Sequence, residues 1–185
     1  MLLLATKTNN LKNKPMDILK TATDWAKAEV FSTSFFILFG VGFVIASIAF
    51  WQMGKTDLAK AYVIPLAVAG SLLMIIGIGL IYTNVTRISS FAAHHEQDAS
   101  AFVKSEVERV DATLKEYQTI VFKAIPFIIL VAALLIAFMD KPVWRASAIT
   151  TIAMLVVILL IDGMAHGRIE AYNKQLELAN KEIAD

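Results

Sequence analysis

The chain has 185 residues, of which 57% are hydrophobic, and its formal net charge is only +1. A nearly neutral chain without a basic face gives no reason to expect a nucleic-acid partner. The complete absence of cysteine excludes disulfides, thiolate catalysis, cysteine-ligated zinc and iron–sulfur clusters.

Four stretches, at residues 30–54, 61–86, 124–139 and 146–161, contain no Asp, Glu, Lys, Arg or His. A helix needs about 20 apolar residues to cross a hydrocarbon core of about 30 Å. A soluble bundle is the alternative, but the first two stretches, of 25 and 26 residues, would need far more protein around them. The pattern predicts an all-α membrane protein with four transmembrane helices, at residues 30–53, 61–84, 120–139 and 146–165.

The segment before the first span divides into two parts. Residues 6–15 are polar and lysine-rich, and residues 1–15 together are interpreted as a flexible leader or the product of an upstream start. Residues 16–29 have helical periodicity and predict an amphipathic interfacial helix. Trp25 suits the headgroup region, where amphipathic aromatic rings concentrate.

Two further amphipathic segments alternate with the spans, an insertion at residues 86–119 and a C-terminal helix at residues 166–185. A turn is expected around residues 94–100. Both segments carry apolar residues at heptad spacing, which favours one shared bundle that continues the membrane helices, with an intermolecular coiled coil as the alternative. The predicted interface residues are Val103, Val107, Val110, Leu114, Ile169, Tyr172 and Leu176.

The distribution of basic residues predicts the topology. Thirteen Lys and Arg lie on the side that holds the termini and the middle segment, and four lie in the two short connectors. The positive-inside rule therefore places both termini and the amphipathic helices in the cytoplasm. A bacterial inner membrane is the expected location, and the lipid bilayer is the first expected partner.

One ionisable pair is the sharpest candidate site. Asp162 and Lys123 lie at matching depth on spans four and three, about 25 Å from the connector side at 1.5 Å per residue. Charges there are costly unless they are paired or reach water, so we expect an ion pair between them. His166, one turn beyond Asp162, adds a proton-handling alternative. Pro126 is expected to bend span three nearby.

Small residues predict helix-packing positions at Gly70 and Ser71 on span two and at Gly163 and Gly167 on span four. His94 and Asp98 have the spacing to share a metal ion on a helix, but the surrounding set lacks the usual ligand patterns. The expectation is a solvated turn, with no metal and no cofactor.

Three function classes follow from these features. The first is a non-enzymatic interaction protein, such as an accessory subunit, scaffold or immunity-type binder, which associates with itself or with another membrane protein. The second is an ion or proton channel or small transporter that uses Asp162, possible as a homo-oligomer. The third is a membrane enzyme acting on lipid or quinone, for which only Asp162, His166 and Arg168 qualify as polar residues at one interface.

Overall fold

The computed structural model describes residues 18–184, and the secondary structure in this part of the chain is helical, with short connections between the helices. The predicted leader, residues 1–15, lies outside it. The elements in chain order are α1 (Ile18–Met53), α2 (Asp57–Ala61), α3 (Val63–Gln97), α4 (Ala99–Glu116), a π-helical segment (Tyr117–Ala124), α5 (Ile125–Phe138) and α6 (Pro142–Ala184).

Four helical stretches are long and apolar enough to cross a membrane, which confirms the prediction of an all-α chain with four candidate membrane-spanning helices. They cover Ile18–Met53, Asp57–Gln97, Ala99–Phe138 and Pro142–Ile183. The amphipathic segments are continuations of these helices, since α1 and α6 run without a break from their polar parts into their apolar parts. The chain departs from helix at Asp98, whose side chain accepts a hydrogen bond from the Ala101 N–H at 2.9 Å and caps α4.

At one end of the molecule, which we call the bundle end, α1, α3, α4 and α6 surround a common core. Each helix contributes apolar side chains to this core, and both predicted stripes, on α4 and α6, pack into it. All seven predicted interface residues belong to this core or pack against it. The buried members are Ile18, Ala22, Trp25, Ala26, Phe91, Phe102, Val103, Val110, Ile169, Tyr172, Leu176 and Ala179.

In the apolar half, α1 and α3 pack against each other at close range. A Cβ added to Gly70 would lie 2.6 Å from the Gly40 carbonyl oxygen, and one added to Gly40 would lie 2.8 Å from the Gly70 carbonyl oxygen. A Cβ on Gly77 would meet Phe36 and Ile37. The two backbones therefore touch where both helices lack side chains, which is how helices associate without a hydrophobic driving force.

Span three changes its hydrogen-bond pattern just before Pro126. The Ile125 N–H bonds the Ile120 carbonyl, five residues back, at the end of the π-helical segment. Pro126 has no N–H, and its ring would collide with the carbonyl of Phe122 in a regular α-helix. The wider turn accommodates the ring, and each extra residue it takes up rotates the following side chains by roughly 100° relative to an uninterrupted α-helix.

Beyond the π-helical segment, α5 leaves the other helices and packs chiefly against α6. Only two of its residues, Ile125 and Ala132, are buried. The opposite face carries exposed large side chains at helical spacing, Phe127, Leu130, Leu134 and Phe138. The apolar half is thus a three-helix core of α1, α3 and α6 with α5 on its outside.

Candidate functional site

A polar chamber of about 210 Å³ lies where the bundle end meets the apolar half. All four long helical stretches contribute to its wall. An apolar cluster of Phe36, Leu73, Val157 and Ile161 packs at its membrane side. The residues that line the chamber are Trp25, Glu29, Thr33, Leu80, Thr83, Asn84, Arg87, Arg109, Thr113, Glu116, Tyr117, Ile161, Asp162, Ala165 and Ile169.

Glu29, which lines the chamber, forms an ion pair that joins α1 to α6. The Arg168 Nε–H donates to Glu29 Oε1 at 2.9 Å. Glu29 is 7% exposed, whereas the Arg168 side chain is 28% exposed. Burying a carboxylate to this degree is costly unless it is paired, so Arg168 supplies the charge that makes this position of Glu29 tolerable.

A second ion pair lies deeper in the bundle, on α4. The Arg109 guanidinium donates two hydrogen bonds to Glu106, one of them from Nε to Oε1 at 2.9 Å. The Tyr172 O–H donates to the same carboxylate at 2.9 Å. Trp25 stacks on Tyr172 at 5.1 Å between centroids, and the Arg109 guanidinium lies 4.7 Å from the Trp25 ring. This bidentate pair is the stronger form of a carboxylate–arginine contact.

Two tyrosines in this region have raised pKa values. Burial, followed by the negative charge of Glu106, raises the pKa of Tyr172. Burial, followed by the negative charges of Asp162 and Glu29, raises the pKa of Tyr117. Both phenols therefore stay protonated at neutral pH, and Tyr172 serves only as a hydrogen-bond donor to its carboxylate partner.

The α3 wall holds a cation without an acidic partner. Arg87 Nη1 donates to Asn84 Oδ1 at 3.2 Å, and Asn84 in turn donates to the Leu80 carbonyl. Burial, followed by the positive charge of Arg109, lowers the pKa of Arg87. In the described part of the chain, no ion pair involves Arg87: its short-range partner is the neutral amide of Asn84, and the acid that acts on it from farther away, Glu106, is already paired with Arg109.

The predicted pair of Asp162 and Lys123 is not formed. Asp162 lines the chamber half-buried, Lys123 is exposed, and among the described ion pairs none joins the two. Matching depths for the two side chains require an uninterrupted α-helix in span three. Lys123 lies inside the π-helical segment, whose wider turns change the direction of its side chain.

His166 also differs from its predicted place. Its ring meets Tyr117 and Phe122 edge-on, with centroids 5.5 Å and 5.0 Å away, and its Nε2 lies 3.9 Å from Glu170. The structure gives it no hydrogen bond to Asp162 within residues 18–184. His166 therefore packs α6 against the π-helical segment, outside the chamber.

The predicted small-residue positions differ in whether they lie in a contact between helices. Gly70 lies in the close contact with Gly40 described above. Ser71 is exposed and donates to the carbonyl of Ala67 on its own helix. A Cβ on Gly163 or Gly167 would meet nothing within 4 Å, because these residues lie on the outer face of α6. Of the three glycines, only Gly70 has another helix within 4 Å of its Cβ position among residues 18–184.

Most residues of the chamber were missed by sequence reasoning, yet a signal for them exists. Glu29 follows Trp25 by four residues, and Glu106 falls between Val103 and Val110. Each is a charged residue on a stripe that is otherwise apolar. Arg168, next to Ile169, is similar. A charge that interrupts a buried stripe needs a partner from another helix, and several such interruptions at one depth indicate a common polar site.

The region around His94 contains no converging metal ligands. Asp98 is used as a helix cap, and His95 packs edge-on against Phe102 at 5.7 Å. Across residues 18–184 no group of three His, Asp or Glu side chains has the geometry to hold an ion.

No protein-family model, curated protein or solved structure matches this chain.

Proposed function

We propose that this chain is a non-enzymatic integral membrane protein that acts through helix–helix contacts, as an accessory subunit, scaffold or immunity-type binder. The proposal places the bundle end in the cytoplasm of a bacterial cell, since thirteen basic residues lie on that side and four lie in the connectors. The partner is another membrane protein or a second copy of the chain.

The placement of α5 is the observation that carries this proposal. The other three helices of the apolar half pack in a common core, whereas α5 packs chiefly against α6. Its exposed stripe of Phe127, Leu130, Leu134 and Phe138 contains no charge and no small residue. Because lipid tails are as apolar as these side chains, such a face gains from a partner through packing of large side chains.

The test is co-purification in mild detergent from native membranes with two matched double variants. Phe127→Ala with Leu134→Ala shortens the exposed stripe of α5. Ile75→Ala with Ile78→Ala shortens the lipid-facing stripe of α3, whose residues are as exposed, at 67% and 59% against 65% and 49%. We expect the α5 variant alone to lose the associated chain, by roughly tenfold or more if the residues form an interface centre. Equal retention or equal loss in the two variants contradicts the proposal.

Ion or proton handling is the second candidate, and the position of Asp162 favours it. An acid without an ion-pair partner among the described residues lines a polar chamber at membrane depth, as in many proton pathways. The cluster of Phe36, Leu73, Val157 and Ile161 would have to open to admit ions. Proton flux into proteoliposomes that falls to the protein-free level in Asp162→Asn would support this candidate, and wild-type flux at that same level would eliminate it.

A further inference from the structure

Some charged side chains around the chamber form ion pairs, and others do not. Glu29 is paired with Arg168, and Arg109 with Glu106. Asp162 has no hydrogen bond and no ion pair in the part of the chain that the structure describes, and Arg87 has only the amide of Asn84. Glu116 also lines the chamber without an ion pair among the described residues, but its side chain is exposed, so the half-buried lining presents one uncompensated acid and one uncompensated base.

The uncompensated acid and base belong to different walls. Arg87 lies on α3, near Arg109 of α4, and the positive charge of Arg109 contributes to the lowered pKa of Arg87. Asp162 lies on α6, near Glu29 of α1, and the pKa of Tyr117 is raised by both carboxylates. Among the side chains that are not exposed, the excess positive charge is thus on the α3–α4 wall, and the excess negative charge is on the α1–α6 wall.

A third group in the same wall lacks a partner. Trp25 is 9% exposed, and its indole Nε1 is buried without a hydrogen-bond acceptor in the described chain. Leaving a buried donor unpaired costs about 1–3 kcal/mol, so such groups in native structures call for an explanation. Together the two walls offer the buried indole N–H of Trp25, which has no acceptor, and the Arg87 guanidinium and Asp162 carboxylate, which have no ion pair among the described residues.

The chamber opens beside Thr83 and Glu116, the two exposed polar residues of its lining on α3 and α4. Thr83 lies at the predicted end of span two, so the opening faces the level of the lipid headgroups. A carboxylate at the opening favours the approach of a positively charged group over that of a simple anion.

We infer that this chamber binds a small zwitterion, with its primary ammonium at Asp162 and its carboxylate or phosphate at Arg87. A simple cation would leave Arg87 uncompensated, and a simple anion would leave Asp162 uncompensated. A divalent metal would find no group of three carboxylate or imidazole ligands within residues 18–184. The same chemistry occurs in a free amino acid or phosphoethanolamine and in the headgroup of an ethanolamine lipid. Water in the chamber is the competing explanation, because it can satisfy the same groups.

The test uses Trp25 as its own reporter. The other two tryptophans, Trp51 and Trp144, are exposed near the connectors, and the double variant Trp51→Phe with Trp144→Phe leaves Trp25 as the only source of indole emission. The probes are glycine and O-phosphoethanolamine as zwitterions, methylamine as the cation alone and inorganic phosphate as the anion alone. We expect saturable emission changes with at least one zwitterion, at a Kd roughly tenfold or more below that of either single-charge probe.

Variants then assign the two ends of the ligand. Asp162→Asn and Arg87→Gln should each weaken zwitterion binding by roughly tenfold or more. Asp24→Asn, on the exposed face of α1, is the matched control and should bind like the parent. Wild-type affinity in both chamber variants would overturn the inference. The comparison of probes requires no chamber variant, so it decides the question even if a variant does not fold.

Nanodiscs distinguish the two sources. The protein is compared in discs of phosphatidylethanolamine and in discs of phosphatidylcholine. If the lipid headgroup is the ligand, the Trp25 emission is shifted in the phosphatidylethanolamine discs, and soluble zwitterions no longer change it there. A response to soluble zwitterions in both kinds of disc indicates a free ligand. No response in either, while acrylamide still quenches Trp25, or equal binding of methylamine or phosphate alone, would overturn the inference.

Discussion

The α1–α3 pair and the α5–α6 pair cross the same apolar half of the molecule in different ways. In the first, the backbones touch at Gly40 and Gly70, where a single added Cβ would collide with a carbonyl oxygen. In the second, contact is made by side chains along one seam, and α5 buries only Ile125 and Ala132. One pair is fixed by close approach, and the other leaves most of one helix uncovered.

This difference separates a helix pair with a close, fixed contact from a helix whose surface is mostly not packed against the rest of the chain. Between apolar helices in lipid, association depends on packing and hydrogen bonds rather than on the hydrophobic effect. The α1–α3 contact has the packing. By contrast, α5 is held by α6 and by its covalent connection, through the π-helical segment, to α4, whose Glu106 accepts a hydrogen bond from Tyr172 of α6. The helix that is least packed within the chain is therefore the one best placed for a partner.

Adding one methyl group to the α1–α3 contact should have the largest effect on stability. In Gly70→Ala the new Cβ meets the Gly40 carbonyl oxygen, which belongs to the backbone and cannot move aside alone. We expect a loss of about 2–3 kcal/mol in the free energy of unfolding, measured by denaturant titration in detergent micelles. Gly163→Ala is the control, since its Cβ meets nothing, and it should leave stability unchanged or raise it by up to about 1 kcal/mol through the higher helix propensity of alanine. Equal effects would show that the close contact is not the fixed part of the fold.

Removing the anchor of α4 should have the next largest effect. Glu106→Ala takes the acceptor from Arg109 and Tyr172. We expect a loss of about 2 kcal/mol, reduced from the value for a fully buried pair because the Arg109 side chain is 21% exposed. Glu108→Ala, on the exposed face of the same helix, is the control and should be nearly neutral. If the two variants lose the same stability by denaturant titration, the network does not anchor α4.

The smallest expected effect concerns Asp162 and Lys123, on the two helices of the loose pair. Because the structure forms no ion pair between them, the stability changes of Asp162→Asn and Lys123→Met should add. A double-variant cycle measured by thermal unfolding should give a coupling within about 0.5 kcal/mol of zero. A coupling well above that value would restore the ion pair and give α5 a specific attachment to α6.

The sequence predicts the parts of this structure that depend on one segment at a time. Uncharged stretches locate the four spans, heptad spacing gives the core residues of the bundle from Val103 to Leu176, and the polar run at residues 94–100 contains the break at Asp98. These features follow from hydropathy and from the helical period, both of which can be counted in a single sequence.

The chamber could not be predicted because it depends on how the helices are rotated about their axes. Glu29, Arg87, Arg109 and Asp162 come from four separate segments, and their convergence is a tertiary property. The error at Lys123 has a local cause. Pro126 indicates a disturbed helix, but whether the chain bends or widens into a π-helical segment is decided by packing, and the two outcomes point Lys123 in different directions.

Cross-linking in native membranes tests the central claim most directly. Because the chain contains no cysteine, single cysteines can be introduced at Phe127, Leu130 and Leu134 of α5 and, as controls, at Ile75 and Ile78 of α3. With a maleimide that carries a benzophenone, which on illumination inserts into C–H bonds of any neighbouring protein, the account predicts that the α5 positions form a defined adduct with another protein or a second copy, and that the equally exposed α3 positions do not. Adducts of equal yield at both sets, or at neither, would contradict it.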